Sequence, residues 1–165
     1  MRGVKTWPPW NVTSLREKLD DLATIVENSK GMDPDVLTWM SRMLVIRSSG
    51  FLEQTAKEVC YYHVQSRSGG IVRSFAQSWL ERSRNPSPEN LCNLVGRFDG
   101  LLHDELLDLL DKDDQRLRRG LAFLVDRRNK IAHGLNEGVS REKSLELKQV
   151  AIELSDWLIL RFNPL

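Results

Sequence analysis

Residues 124–134 read Leu124-Val125-Asp126-Arg127-Arg128-Asn129-Lys130-Ile131-Ala132-His133-Gly134. The stretch has the pattern of an amphipathic helix near its end. Leu117, Leu121, Leu124, Ile131 and Leu135 recur at helical steps, with one rung missing between Leu124 and Ile131. Arg128 occupies that rung. A guanidinium on a stripe that should face a core or a partner helix is costly unless something compensates it. His133 follows five residues later, and Gly134 is a natural helix stop.

Charge is segregated just upstream. Residues 104–114 hold six acids and one lysine, whereas residues 116–130 hold five arginines, one lysine and Asp126. Acids at a helix start and bases toward its end suit the macrodipole. Six cations in fifteen residues exceed what that requires. Asp113 or Asp114 is the expected cap of the motif helix, after a separate short helix over Leu101–Leu110.

The rest of the chain reads as helices divided by breakers. Residues 1–13 are an expected irregular lead-in, with Trp7-Pro8-Pro9-Trp10 extended and both indoles covering the core edge. A single domain over 14–163 follows. Ser14-Leu15-Arg16-Glu17 predicts a capping box for a first helix, with Leu15, Leu19, Leu22, Ile25 and Val26 inward. Asp33-Pro34 opens a long helix to about Arg67, which we read as continuous through Ser48-Ser49-Gly50 because the apolar pattern resumes at Phe51. Its small residues Ser49, Ala56 and Cys60 share a face with Glu53, so a neighbouring helix can approach closely. Ile71, Val72, Phe75, Trp79 and Leu80 mark a short helix, and Ser87-Pro88 starts the next. Ser140 caps the last, with Leu147, Val150, Ala151, Leu154, Leu158 and Phe162 inward. No useful strand alternation occurs. The expectation is an all-α bundle of five to seven helices, three of them long.

Composition bounds the function. With 41% apolar and 28% charged residues, the 165-residue chain should fold rather than stay disordered. A net charge of +1 argues against coating nucleic acid by bulk charge and leaves room only for a local basic patch. Cys60 and Cys92 are far apart and in no paired motif, so buried reduced thiols are expected rather than a disulfide or zinc site. No signal-like or membrane-length apolar run is present, which makes a cytoplasmic location the expectation. The sequon Asn11-Val12-Thr13 is discounted on the same ground. His63 reads as a buried or half-buried imidazole on the Glu53 helix, and His103 as a surface residue beside the acidic run.

The motif helix is left as the place for chemistry. Asn129 and His133 are one turn apart and share a face. Arg128 lies about 100° round but has the reach to aim at the same point. Arginine holds a phosphate with a fork of donors, and histidine moves protons near neutrality. On RNA, a 2′-hydroxyl can attack the adjacent phosphorus while histidine transfers a proton and arginine holds the growing charge. No metal or other cofactor is required, and DNA lacks the attacking hydroxyl. A two-fold dimer would place both copies of Arg128 and His133 in one cleft, with Leu117, Leu121 and Leu124 partly at the interface. From residue types alone two other readings stand beside this one. Arg128 could pair with Glu53 inside the bundle while His133 caps the helix, or the helix could bind RNA or a protein without cutting.

Arg128-Asn129-Lys130-Ile131-Ala132-His133-Gly134 resembles the signature of the HEPN superfamily. Ser49-Gly50-Phe51-Leu52-Glu53, Asn85-Pro86 with Glu89-Asn90, and Leu94-Val95-Gly96-Arg97-Phe98-Asp99 extend the likeness to the RiboL-PSP branch, in family order over most of residues 35–135. The resemblance implies a helical bundle, usually a homodimer, that cleaves RNA without a metal as a toxin, phage-defence effector or RNA-processing enzyme. It implies Arg128 and His133 as the catalytic pair and Asn129 as the polar supporting residue. Glu53 and Lys130 become candidate supporting residues, and Arg127 and Arg119 candidate RNA contacts. An antitoxin or defence-system protein is the implied partner besides RNA and a second copy. Members that only bind RNA usually lose the motif, which this chain keeps. A further HEPN branch carries a tyrosine two residues after the histidine. Leu135 stands there instead, so control by modifying that tyrosine is not expected.

Overall fold

The computed structural model describes residues 6–82, 85–135 and 138–164, and among them it is all-helical. Six helices follow in order: α1 Trp10–Glu27, α2 Pro34–Arg67, α3 Gly70–Leu80, α4 Pro88–Gly96, α5 Gly100–Ala132 and α6 Arg141–Arg161. Three are long, as expected: α2 has 34 residues, α5 33 and α6 21.

Local chemistry sets most starts. Asp33 accepts from the backbone N–H groups of Asp35 and Val36, and Pro34 occupies the first turn of α2. Ser87 accepts from Asn90 N–H and Ser140 from Lys143 N–H. One start differs from expectation. α1 begins at Trp10, four residues before Ser14, because Pro9 already sets a non-helical N-cap and its carbonyl accepts from Val12 and Thr13. The Ser14 capping box does not form. Asp99 caps the first arm of α5 by accepting from Leu101 and Leu102. The two helices expected on either side of Asp113 and Asp114 are both present, joined across a sharp kink. Lys112 is extended, and Asp113, Asp114 and Gln115 all take left-handed conformations.

α2 and α6 form the centre. α5 and α4 pack on one side through Leu91, Val95, Leu106, Leu110, Leu117, Leu121 and Leu124, all buried. α1 covers the other side with Val12, Leu19, Ala23 and Val26 against Leu44, Phe51 and Ile152. Buried Ser41, Ser48, Ser49, Thr55, Ser144 and Ser155 line the meeting faces of the central helices. α5 and α6 approach so closely that a Cβ on Gly120 would lie 2.7 Å from Val150 Cγ2. Cys60 and Cys92 are buried free thiols, and burial pushes the Cys60 thiol far above its ordinary pKa.

Three packing expectations fail. Leu117, Leu121 and Leu124 are at most 4% exposed within one chain, so they belong to its own core and not to a partner face. Ile25 is 48% exposed, because only part of the apolar face of α1 reaches α2. In the lead-in, Trp7 does cover the core edge, donating from Nε1 to the Ile159 carbonyl, but Trp10, expected there with it, is exposed. Of the apolar residues that mark α3, Ile71, Val72 and Phe75 point to solvent, and Leu80 and half-buried Trp79 anchor the helix. Residues 1–5 lie outside the described residues. No helix among the described residues is long and apolar enough to cross a membrane.

Candidate functional site

The C-terminal arm of α5 leaves the core one residue type at a time. Leu124 is fully buried, Arg128 and Ile131 are half-buried, and His133 and Leu135 are exposed. Arg128 therefore stands where the stripe emerges. Its guanidinium can keep its head near water while its stem lies on the bundle.

The end of the helix is fixed by its backbone. Gly134 is left-handed at φ +73°. Its N–H donates to Ile131 C=O at 3.1 Å, and Leu135 N–H donates to Lys130 C=O at 3.0 Å. This pair of bonds is a Schellman closure, with His133 as the C-cap residue. His133 N–H donates to Asn129 C=O at 3.0 Å. Asn129 also accepts, through Oδ1, a hydrogen bond from Arg128 Nη1 at 3.1 Å. One asparagine thus ties the arginine and the histidine to the same turn.

The other predicted residues distribute unevenly. Arg127 places its guanidinium 4.7 Å from the centre of the Phe123 ring, on which Lys143 Nζ also sits at 5.0 Å. Lys130 forms an i,i+4 ion pair with Asp126 at 3.1 Å. Arg119 is paired with Asp114 near the kink, about 21 Å from His133 along fourteen helical residues. It does not share the Arg128–His133 locus. Arg116 and Arg118 are likewise held by Glu153 and Asp111. The cations at the start of this arm are matched by acids, as Lys130 is by Asp126, and Arg127 and Arg128 stand with Lys130 near His133 at its end.

Glu53 does not pair with Arg128. Among the described residues the hydrogen bond of that guanidinium goes to Asn129, and Glu53 lines a separate cavity between α2, α4 and the start of α5. None of Arg128, Asn129 or His133 lines that cavity. His103, expected as a surface residue, is half-buried at its edge with Nδ1 3.1 Å from Asp104. The cavity residues come from four separated segments, so helical spacing alone could not assemble them.

His63 packs edge-on against Phe98 and Phe162, with ring centres 5.6 and 5.3 Å away. Burial first, and then the neighbouring Arg67 charge, lower its pKa, against a hydrogen bond with the Phe162 backbone that raises it. This is a packed, half-buried imidazole, as its sequence position suggested. No group of three or more His, Cys, Asp or Glu side chains is arranged to hold a metal ion among the described residues.

No curated protein and no solved structure matches the chain. The family description RiboL-PSP-HEPN matches residues 11–159, which span α1 and nearly all of α6, together with the Arg128–His133 turn and the Glu53 cavity. The chain belongs to the RiboL-PSP-HEPN family.

Proposed function

We propose that this protein is a metal-independent endoribonuclease that works as a homodimer, in the setting of a toxin or a phage-defence effector. The observation that carries this reading is the turn in which Asn129 joins a half-buried Arg128 to an exposed His133. The RNA 2′-hydroxyl attacks the neighbouring phosphorus, and the P–O5′ bond breaks. One imidazole takes the hydroxyl proton, and a second protonates the leaving oxygen. Arg128 holds the charge on the phosphoryl oxygens. The products are a 2′,3′-cyclic phosphate and a free 5′-hydroxyl. Each chain supplies one motif histidine, so the acid and the base come from two copies across a two-fold axis. Ile131 and Leu135, flanking His133, give that end of α5 an apolar rim suited to such a contact. Lys130 and Arg127 serve as supporting and RNA-contacting residues, and a cognate antitoxin or defence protein controls the enzyme.

The test is cleavage of RNA by the purified protein in the presence of EDTA. Cyclic phosphate ends and loss of cutting in His133→Ala are expected. Loss of activity on chelation, or full activity in His133→Ala, overturns the reading.

One observation favours a second reading. Among the described residues none hydrogen-bonds to the His133 side chain, so none of them orients it. A non-catalytic RNA- or protein-binding module would tolerate this. In that case RNA binding survives His133→Ala, falls in Arg128→Ala and weakens with salt.

A further inference from the structure

We propose that the groove between α1 and the first half of α2 docks an amphipathic helix of a partner protein, one with acidic side chains on both flanks of its apolar stripe. The groove has a volume of about 320 Å³ and shares no lining residue with the Arg128–His133 turn or the Glu53 cavity. It therefore goes beyond the ribonuclease reading and does not depend on it.

Buried Leu19 and Phe51 form the floor, and Leu15, Leu22 and Met43 rise beside them. The apolar surface continues along α2, where Val36, Trp39 and Met43 follow at three- and four-residue steps and all are exposed. Ile25 continues it on α1, three residues beyond Leu22. Trp39 is 65% exposed, yet Arg42 braces it, with the guanidinium carbon 5.1 Å from the ring centre. An exposed apolar surface of this continuity marks a contact site, and an ordered indole is a common anchor of one. From Val36 to Phe51 the strip measures about 22 Å, roughly four helical turns. Two packed helices leave between them a trough that takes the side-chain ridge of a third. Methionine adapts to the shape that enters.

The charge of the groove selects its occupant. Lys18 stands on the α1 wall and Arg47 on the α2 wall, both exposed, and no acid lines the groove. Among the described residues no carboxylate pairs with either cation. Their neighbours are matched, Arg16 by Asp156 and Lys148 by Asp20. Carboxylates on both edges of an incoming helix supply the complementary charge. A second copy of this chain does not supply it through its other exposed apolar face, because α3 carries no acid between Gly70 and Leu80.

The probe is a synthetic, fluorescently labelled peptide of about 18 residues, or about five helical turns. It carries leucines at three- and four-residue spacing and glutamates on both flanks, and its control has lysines at the glutamate positions. Fluorescence anisotropy measures the binding of each to the full-length protein. The glutamate peptide should bind with a Kd on the order of 10 µM, and the lysine peptide about tenfold more weakly or worse. Met43→Asp, at an exposed position that leaves the fold intact, should weaken glutamate-peptide binding by about tenfold or more. Lys18→Glu combined with Arg47→Glu should invert the preference, so that the lysine peptide binds the better, a gain that misfolding cannot produce. Binding of neither peptide at about 100 µM, equal binding of both, or a preference that survives the double charge reversal overturns the proposal. So does another occupant of the face: binding of phosphatidylglycerol vesicles, or self-association in sedimentation, that Met43→Asp abolishes while peptide binding persists. Peptide binding should be the same in His133→Ala. Its failure therefore leaves the nuclease reading untouched, and loss of the nuclease reading leaves this binding standing.

Discussion

Arg128 Nη1 donates to Asn129 Oδ1 at 3.1 Å, so among the described residues the motif arginine is held by the residue beside it rather than by a carboxylate. A carboxylate partner would neutralise the guanidinium and compete with a phosphate. A neutral amide orients it and leaves its charge available. Asn129→Ala should lower RNA cleavage by up to about a hundredfold through misplacement of that group, with little change in thermal stability because Asn129 is only half-buried. Unchanged cleavage in a folded variant would remove Asn129 from the site.

Gly134 tests placement without touching the chemistry. Its φ of +73° is a conformation that a Cβ penalises by about 1–2 kcal/mol. Gly134→Ala should show that loss in urea unfolding. Cleavage should fall as well, because the closure that seats His133 at the C-cap is weakened. A stability loss with full activity would show that the helix end need not be fixed.

Gly120 and Val150 set the spacing of α5 and α6. Gly120→Ala gains roughly 1 kcal/mol of helix propensity, but the added methyl meets Val150 Cγ2 at 2.7 Å. Val150 is buried and cannot swing away, so overpacking should dominate and leave a net loss of about 1–2 kcal/mol. In a Val150→Ala background the same substitution should become neutral or stabilising. A double-mutant cycle by chemical denaturation reads the coupling.

His63 predicts an acid weakness. Its folded pKa lies below the ordinary value of about 6.5. The unfolded chain therefore binds the proton more readily, and stability is full above that ordinary value. It is lost as the pH falls from there toward the folded value. Unfolding midpoints at pH 7.5 and 5.5 should differ more for wild type than for His63→Gln. Equal pH dependence in the two proteins would exclude His63 as the source.

Leu135 addresses assembly. It is 55% exposed and sits two residues past His133. Leu135→Asp should shift the protein toward monomer in sedimentation and reduce cleavage, while leaving chain stability within about 0.5 kcal/mol. A dimer insensitive to this change would place the two-fold axis elsewhere.

The parts of the fold legible in the sequence are those decided within a few residues. Asp33, Ser87 and Ser140 were readable as caps because each bonds to a backbone N–H two or three positions on. The continuity of α2 past Gly50 was readable because the apolar rhythm resumes at once, and Gly50 itself faces solvent. Features set across the chain were not legible. The outward face of α3 depends on what α2 leaves uncovered. The break at Asp113 and Asp114 was readable, but its three successive left-handed residues were not, since no glycine announces them. At the site, the adjacency of Arg128, Asn129 and His133 follows from helical spacing. The separation of Glu53 from Arg128, the pairing of Arg119 with Asp114 and the cavity itself depend on where the kink directs the chain.

That kink also has a mechanical meaning. An unbroken helix of 33 residues would be a stiff lever, carrying any displacement at His103 directly to His133. The right-handed screw is interrupted at 112–115. The first arm is fastened to α6 by Glu105, whose Oε1 accepts from Trp157 Nε1 and Arg161 Nε, and the second meets α6 again where Gly120 faces Val150. The Asp111–Arg118 ion pair clasps the bend between them. Each arm thus has its own fastening to the same central helix.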